Sequence, residues 1–488
     1  MDLSDNSHKN ETAEFRRAVD RAARWIGEYF EHPERFPVLS RVAPGEIRSR
    51  FPATPPSVGR SLDDILDDFE EHIVPGVTHW NHPSFFAYFS ITGSCPGILG
   101  EFLAAALNVN GMLWRTSPAL TELEALSLDY LRQMLELDGP WFGQIVDTAS
   151  TSSLIALAAA REALTGLDVR KQGMAGRADL PRMTVYTSAE AHSSIDKAAI
   201  VVGVGTDNIR HVRVDDRFRM DVDALERAIE RDIADGARPL AVVATVGTTS
   251  TTSVDPVARI ADVCQRHGVW LHVDAAYAWA AALLSEKRHI IAGCERADSI
   301  VVNPHKWLFT PIDLSVLYCR DRDVLRNAFS LVPEYLSSDD ELDQPNLMDY
   351  GFQLGRRFRA LKLWMVLNYY GVEGIRERIR GHIGLAAGFL KWAGGHPDFE
   401  VMAPAEFSTV CFRLNPSSGN GSRSGEEIDA LNERLLNAVN ATGKAFLSHT
   451  RIHGRFAIRC AIGNIRTERT HIEALERLLE STAAGLLE

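Results

Sequence analysis

The sequence predicts an α/β fold, with a mostly parallel central sheet between an N-terminal helical arm and a small C-terminal α+β domain. Three observations predict it. Across residues 183–318, short apolar runs (183–187, 209–214, 239–246, 269–273, 299–302 and 315–319) alternate with helical segments such as 223–235 and 257–267. That alternation makes a parallel sheet with right-handed crossovers. Ahead of it, residues 14–30 place Phe15, Ala18, Val19, Ala22, Trp25, Ile26 and Tyr29 at helical spacing. Beyond residue 375, helix and strand patterns (407–414, 455–461, 468–487) form the third region. The expected divisions are 1–95 for a helical, dimerisation segment, 96–375 for the large α/β domain and 376–488 for the small one.

Composition narrows the function. A chain of 488 residues with 45% hydrophobic content can hold a sizeable core. Its net charge of −13, from 52 basic and 65 acidic residues, comes without a basic run. Nucleic acid and anionic membranes reward clustered Lys and Arg, so a small-molecule substrate is the natural partner. Six scattered cysteines (95, 264, 294, 319, 411, 460) include no C-x-x-C pair and read as reduced core thiols, giving neither a disulfide framework nor a zinc site. The polar start lacks the apolar core of a secretory signal, and no window approaches 18 apolar residues, so the expected location is the cytoplasm.

In chain order, the residues before Glu14 read as unstructured and 14–30 as an amphipathic helix. Prolines 33, 37, 44, 52, 55 and 56 then mark an extended segment, before Ser61 N-caps a second helix. Such an arm cannot bury its apolar face alone, and a second subunit is the expected cover. Residues 77–89 are dense in aromatics; His79 and His82 have i, i+3 spacing but no third ligand nearby, so no metal is expected. Helical patterns follow at 96–107 and 117–137. The run 141–146 then leads into a loop of small hydroxyl residues, 147–154, that opens an Ala-rich helix through Arg161. Free amides at a helix start, supplemented by hydroxyls, suit an anion, though the same cluster also serves as an ordinary N-cap. Residues 331–343 are acidic and turn-rich, the composition of a mobile loop. A helix runs from 355 to Tyr370 with Gly371 as its cap, and 416–422 read as a surface loop.

Chemistry concentrates at three strand ends. Ser299-Ile-Val-Val-Asn-Pro-His-Lys-Trp307 ends a core strand in a turn bearing Lys306. Alone it is an ordinary surface lysine; desolvated, its amine becomes a nucleophile able to form a Schiff base. In Trp270-Leu-His-Val-Asp-Ala-Ala-Tyr-Ala278, an apolar strand ends in Asp274, alone a turn or cap residue. A pyridoxal phosphate ring needs a carboxylate against its nitrogen, and small Ala275 and Ala276 leave room for a flat ring. In Tyr186-Thr-Ser-Ala-Glu-Ala-His-Ser-Ser194, His192 is placed to stack on the ring's other face. Ligands of open α/β sheets bind at the carboxyl ends of strands, so the convergence of all three carries the reading.

Asn303-Pro-His-Lys-Trp307, His272-Val-Asp-Ala-Ala-Tyr277 and Ala191-His-Ser-Ser194 resemble the motifs of the group II pyridoxal-phosphate-dependent amino-acid decarboxylases, among them the aromatic-L-amino-acid decarboxylases. The resemblance runs from about residue 14 to the C-terminus. It implies pyridoxal-phosphate fold type I, the aspartate-aminotransferase-like architecture, and pyridoxal 5'-phosphate as cofactor. It further implies that Ala149 and Ser150 hold the phosphate, that Asn303, His305 and Ala276 also contact the cofactor, and that Thr249 lies beside the ring. Tyr335 matches the catalytic tyrosine of the family's loop. Trp80, Tyr88 and Phe89 line the substrate pocket, and a homodimer with an intertwined N-terminal arm brings the active site near the interface. Five positions depart from the pattern. Ile91 stands where animal enzymes carry Thr, Asn110 and Met112 replace bulkier apolar groups, Asp147 stands where Gly is usual, and Trp279 replaces a small residue.

The reaction so implied is loss of CO2 from an amino acid, with the Cα–carboxylate bond perpendicular to the ring, and protonation of Cα by Tyr335. Gly355 matches plant members of indolic preference, where phenolic ones have Ser. Tryptophan is therefore expected ahead of tyrosine, DOPA and phenylalanine. Ser84, Ile91, Asn110 and Met112 leave a non-aromatic substrate open. An aromatic acetaldehyde synthase is the other alternative; such enzymes typically carry Phe at the loop tyrosine, so Tyr335 favours plain decarboxylation.

Overall fold

The apolar runs assemble into one seven-stranded sheet. The computed structural model describes residues 3–331, 345–416 and 423–488. Strands β1 (Phe142–Val146), β2 (Met183–Ser188), β3 (Ile209–Val212), β4 (Arg238–Thr245), β5 (Trp270–Asp274), β6 (Ser299–Val302) and β7 (Ser315–Cys319) lie in the order β1-β7-β6-β5-β4-β2-β3. Pairings from β3 through β2, β4 and β5 to β6 are parallel, and β7 alone runs the other way, antiparallel to both β6 and β1. Helices cover both faces of such a sheet, so its strands are apolar throughout: β6 and β7 are wholly buried, and β4 is buried beyond Arg238.

This order fixes the site. Strands β2, β4, β5 and β6 are consecutive neighbours, so their carboxyl ends share one rim. Register aligns Thr245 with Asp274 and Asp274 with Val301. Buried Asp255 pins the rim: its carboxylate accepts the amides of Thr245 (2.8 Å) and Met220 (2.7 Å), and burial raises its pKa to about 6.

Strands β8 (Phe399–Val401), β9 (Thr409–Leu414), β10 (Ser448–Ile452) and β11 (Arg455–Ala461) form a second, antiparallel sheet in the order β10-β11-β9-β8. Phe86, Phe389, Phe412, Leu435, Ile458 and Leu479 are among its core residues. Residues 85–87 are stitched to this sheet. Phe86 donates to Phe446 O and accepts from Ala461 N at its own carbonyl, while Arg459 Nη1 donates to Ala87 O. The next two residues, Tyr88 and Phe89, therefore leave the small sheet in the direction of the large one.

Three expectations are corrected. The first helix spans Leu3–Glu31, so the stretch before Glu14 is helical; its residues are polar all round and carry no periodicity to betray a helix. Gly371 adopts φ +62° as expected of a cap, but the chain resumes helical geometry at once, and the segment Arg359–Gly395 continues through the kink. Five cysteines are buried, whereas Cys95, at the start of helix Cys95–Leu107, is exposed. The arm also finds partners in its own chain: Arg21 bonds Asp67 and Glu70, each at 2.7 Å, and Trp25 meets Phe69 edge-on. Among the described residues no helix is long and apolar enough to cross a membrane.

Candidate active site

Beyond β6 the chain turns at Asn303, and Pro304 opens the single helical turn Pro304–Trp307. Trp307 locks that turn, fully buried, its indole N–H donating to His382 Nδ1 at 3.0 Å and its ring stacked 4.9 Å from Tyr277. Lys306 points the other way. Its Nζ lies 5.4 Å from the centroid of Phe89, and desolvation, with Arg459 adding, pulls its pKa below the ordinary lysine value while Asp274 opposes. Neighbouring His305 accepts the Leu314 amide at Nδ1 (2.9 Å), and burial lowers its pKa to about 3. It is therefore neutral, with its proton on Nε2, 3.3 Å from the Asn303 amide. That contact is to Asn303 Nδ2; the amide's acceptor, Oδ1, is buried without a partner.

Asp274, 6% exposed at the end of β5, accepts the Ala276 amide at Oδ1 (3.1 Å). Two residues back in the strand, His272 is buried between Ser299 Oγ (2.9 Å) and Ser153 Oγ (3.3 Å), and burial lowers it to about 4. Past β2, His192 accepts the Ser194 amide at Nδ1 (3.2 Å) and meets the Ser194 hydroxyl there (2.8 Å). Desolvation and then Lys306 hold its pKa below the ordinary value, with Asp274 opposing. Lys306, Asp274 and His192 thus feel one another's charge. Past β4, Gly247 turns the chain at φ +95°, where a Cβ would strike that of Ala278 at 2.5 Å, and Thr249 follows, exposed.

After β1, Thr148 is the N-cap of helix Ala149–Ala163, yet its hydroxyl makes no capping bond. Asp147 has drawn it away: Oδ1 accepts the Thr148 amide at 2.6 Å and its hydroxyl at 3.3 Å. The first-turn amides at Ala149 and Ser150 are left for another acceptor. These residues suit pyridoxal phosphate. Uncapped amides and a neutral His305 N–H fit a phosphate; a buried carboxylate beside two alanines fits a ring nitrogen.

The opposite wall is aromatic. Phe89 stacks on Tyr277 at 3.6 Å and 10°, and the Arg459 guanidinium lies 4.6 Å from the Phe89 centroid. Arg459 is 4% exposed; only its Nη1 is bonded, to Ala87 O, while Nε and Nη2 are buried without partners. Trp80 stacks on Phe85 (4.3 Å) and on half-exposed Tyr88 (5.7 Å). Gly355 is exposed, and no hydrogen bond or ring contact among the described residues joins it to Lys306. Its neighbour Arg356 is held by Asn110, whose Oδ1 accepts the Arg356 amide at 2.9 Å; Asn110 Nδ2 also meets Met112 Sδ at 3.5 Å. Trp279 is fully buried in the main core, so this departure fills space. Tyr335 lies outside the described residues.

Sequence reasoning missed Arg459, Tyr277 as the ring beneath Phe89, and Ser194 as the group that orients His192. Arg459 did leave a signal, a lone cation inside the apolar strand Phe456-Ala-Ile-Arg-Cys-Ala-Ile462.

Residues 44–415 match the family described as the pyridoxal-dependent decarboxylase conserved domain. Over 476 residues, 94% of this chain and 85% of the other, the sequence is 41% identical to tyrosine decarboxylase 2 of Arabidopsis thaliana. It is 40% identical over 475 residues to phenylacetaldehyde synthase of Arabidopsis thaliana, covering 95% of this chain and 94% of that one. The fold superposes with a TM-score of 0.93 on the crystal structure of Oryza sativa TDC with PLP and tryptamine, at 38% identity over 98% of this chain and 99% of the other.

Proposed function

The chain belongs to the pyridoxal-dependent decarboxylases, and from that premise we propose that it removes the α-carboxylate of an aromatic L-amino acid to release the amine and CO2. It is a carboxy-lyase, and pyridoxal 5'-phosphate is its cofactor. Bound, that cofactor supplies an electron sink for the pair left when CO2 departs. Tryptophan stands first among the substrates, ahead of tyrosine, DOPA and phenylalanine; open Gly355 and a similar structure holding tryptamine support that order.

The observation that carries the reading is the pair of cations at Phe89. Tyr277 covers one face of that ring, leaving Lys306 and Arg459 to approach from elsewhere at 5.4 and 4.6 Å. Lys306, desolvated and so a competent nucleophile, is the residue that holds the cofactor and yields it to the substrate amine. Arg459 offers two unpartnered donors beside it, a seat for the α-carboxylate. Trp80, Tyr88 and Phe89 supply flat apolar surface for an aromatic side chain. On the cofactor side, Asp274 would accept a hydrogen bond from the protonated ring nitrogen and keep it protonated, His192 would lie against the ring, and Thr249 and Ala276 would flank it. Ala149, Ser150, Asn303 and His305 hold the phosphate. Tyr335 delivers the proton to Cα.

A homodimer completes this proposal. Helix Cys95–Leu107 leaves Leu99, Phe102, Leu103 and Leu107 between 41% and 60% exposed, an apolar strip of the kind a subunit interface covers. Light scattering reads the assembly.

The deciding assay incubates purified protein and pyridoxal phosphate with a panel of L-amino acids and follows CO2, amine, ammonia and peroxide together. CO2 with equal amine from tryptophan is the expected result. Ammonia and peroxide matching CO2 make the chain an aromatic acetaldehyde synthase, and CO2 from non-aromatic substrates alone removes the aromatic assignment.

A further inference from the structure

We propose that Asp147 is an electrostatic brake on cofactor retention, a carboxylate built into the phosphate site that weakens its hold on pyridoxal phosphate. The inference rests on reading the start of helix Ala149–Ala163 as that phosphate site. Helix starts attract anions through free amides and the positive end of the helix dipole. Here that end is already shared. Asp147 Oδ1 takes the Thr148 amide at 2.6 Å and the Thr148 hydroxyl at 3.3 Å, so the N-cap residue turns both donors back toward a carboxylate one position upstream. Thr148 consequently caps nothing.

Among the described residues no cation forms an ion pair with Asp147, and no lysine or arginine is hydrogen-bonded to it. The nearby donors proposed for the phosphate are uncharged: His305 is held neutral by burial and Asn303 is an amide. A phosphate on the Ala149 and Ser150 amides therefore has a like charge two to three residues away, partly shielded from water. Two such charges repel appreciably at the effective dielectric of a protein surface. The brake acts on the phosphate alone, because the rest of the cofactor is held at Lys306, Asp274 and His192.

The test uses the full chain stripped of cofactor, titrated with pyridoxal phosphate and, separately, with phosphate-free pyridoxal, both followed by protein fluorescence and bound-cofactor absorbance. Asp147→Asn keeps an oxygen for the Thr148 amide while removing the charge. It is expected to lower the Kd for pyridoxal phosphate roughly tenfold, to leave the Kd for pyridoxal unchanged, and to lose part of that gain at high salt. Ser150→Asp, which adds a charge in the same turn, is expected to weaken pyridoxal phosphate binding. If Ser150→Asp weakens binding and Asp147→Asn does not tighten it, the phosphate site stands and the brake is overturned. If Asp147→Asn tightens pyridoxal as much as pyridoxal phosphate, the effect is not on the phosphate and the brake again fails. If neither variant moves the Kd for pyridoxal phosphate, the phosphate is not held on this turn and the underlying reading falls too.

Discussion

The two walls of the candidate active site are built on opposite principles. The proposed cofactor wall is a rim of consecutive parallel strands: Asp274 ends its strand, His192, Thr249 and Lys306 each follow theirs, and β2, β4, β5 and β6 are locked in register by buried backbone. The facing wall is gathered from afar. Phe89 arrives on a segment stitched to the small sheet, Arg459 comes from β11 within that sheet, and Tyr277 reaches across from the end of β5. One wall is fixed by local sequence and the other by contact between two sheets. Damage to the first should abolish chemistry; damage to the second should alter what is bound and how tightly.

The largest effect tests the first half of that contrast. Lys306→Ala is expected to reduce decarboxylation by more than about 10⁴-fold and to remove the bound-cofactor absorbance band. The thermal midpoint without cofactor should stay near wild type, because among the described residues no hydrogen bond or ion pair holds the lysine amine, which lies 5.4 Å from the Phe89 ring. Steady-state rates and an absorbance scan check both. Near-normal turnover in this variant would mean that the rim does not carry the chemistry.

Arg459→Met tests the second half. Methionine preserves bulk beside Phe89 but removes the two unpartnered donors. The expected result is a rise in KM of about 10- to 100-fold, the scale of a lost charge-assisted hydrogen bond, with kcat falling less. A lower melting temperature with KM unchanged would make the guanidinium part of the sheet contact and not of the substrate site.

Acid titration follows, with a smaller effect. Burial holds His272 and His305 on the rim to about 4 and about 3, and His82 and His382 elsewhere to about 4, each below the ordinary 6.5. Between pH 6.5 and 4 the unfolded chain binds protons that these folded histidines refuse, so stability must fall as pH drops through that window. Asp255 works the other way: raised to about 6 from 3.8, it takes up its proton while folded and adds stability as pH falls from about 6 to 3.8. Histidines held below their ordinary value outnumber carboxylates held above theirs among the described residues, and the melting temperature is expected to decline by several degrees across the window. His272→Gln should make the decline shallower. A melting temperature that rises on acidification would overturn the assignment of these histidines as neutral.

This division also explains what the sequence could reveal. Strand ends are local: an apolar run followed by Asp274, or by Asn303 to Lys306, announces both the strand and the residue at its rim, and right-handed crossovers then bring the ends together. Asp147 was legible as a carboxylate near a phosphate loop, but its turn back onto Thr148 depends on side-chain geometry that spacing does not encode. Arg459 was hidden for a further reason. Its role requires β11 to meet residues 85–87, more than 350 positions away, and an arginine in an apolar strand says only that some partner exists. The early start of the first helix and the kink at Gly371 escaped because polar helices carry no apolar stripe and because a positive-φ glycine reads equally as an end or a bend.

Gly355 gives the smallest effect and the cleanest discrimination between the walls. It is exposed, with nothing within 4 Å of where a Cβ would stand and without a positive φ, so Gly355→Ser adds a hydroxyl at no steric or backbone cost. The fold, the cofactor spectrum and Lys306 should therefore be untouched, and any change must act on the substrate. If Gly355 borders the amino-acid side chain, the new hydroxyl should shift the ratio of kcat/KM for tryptophan over tyrosine toward tyrosine by about tenfold or less, the scale of one added polar contact in an apolar pocket. Competition between the two amino acids in a single vessel measures that ratio directly. Such a shift would place Gly355 beside the substrate side chain. An unchanged ratio would confine specificity to Trp80, Tyr88 and Phe89, on the segment stitched to the small sheet.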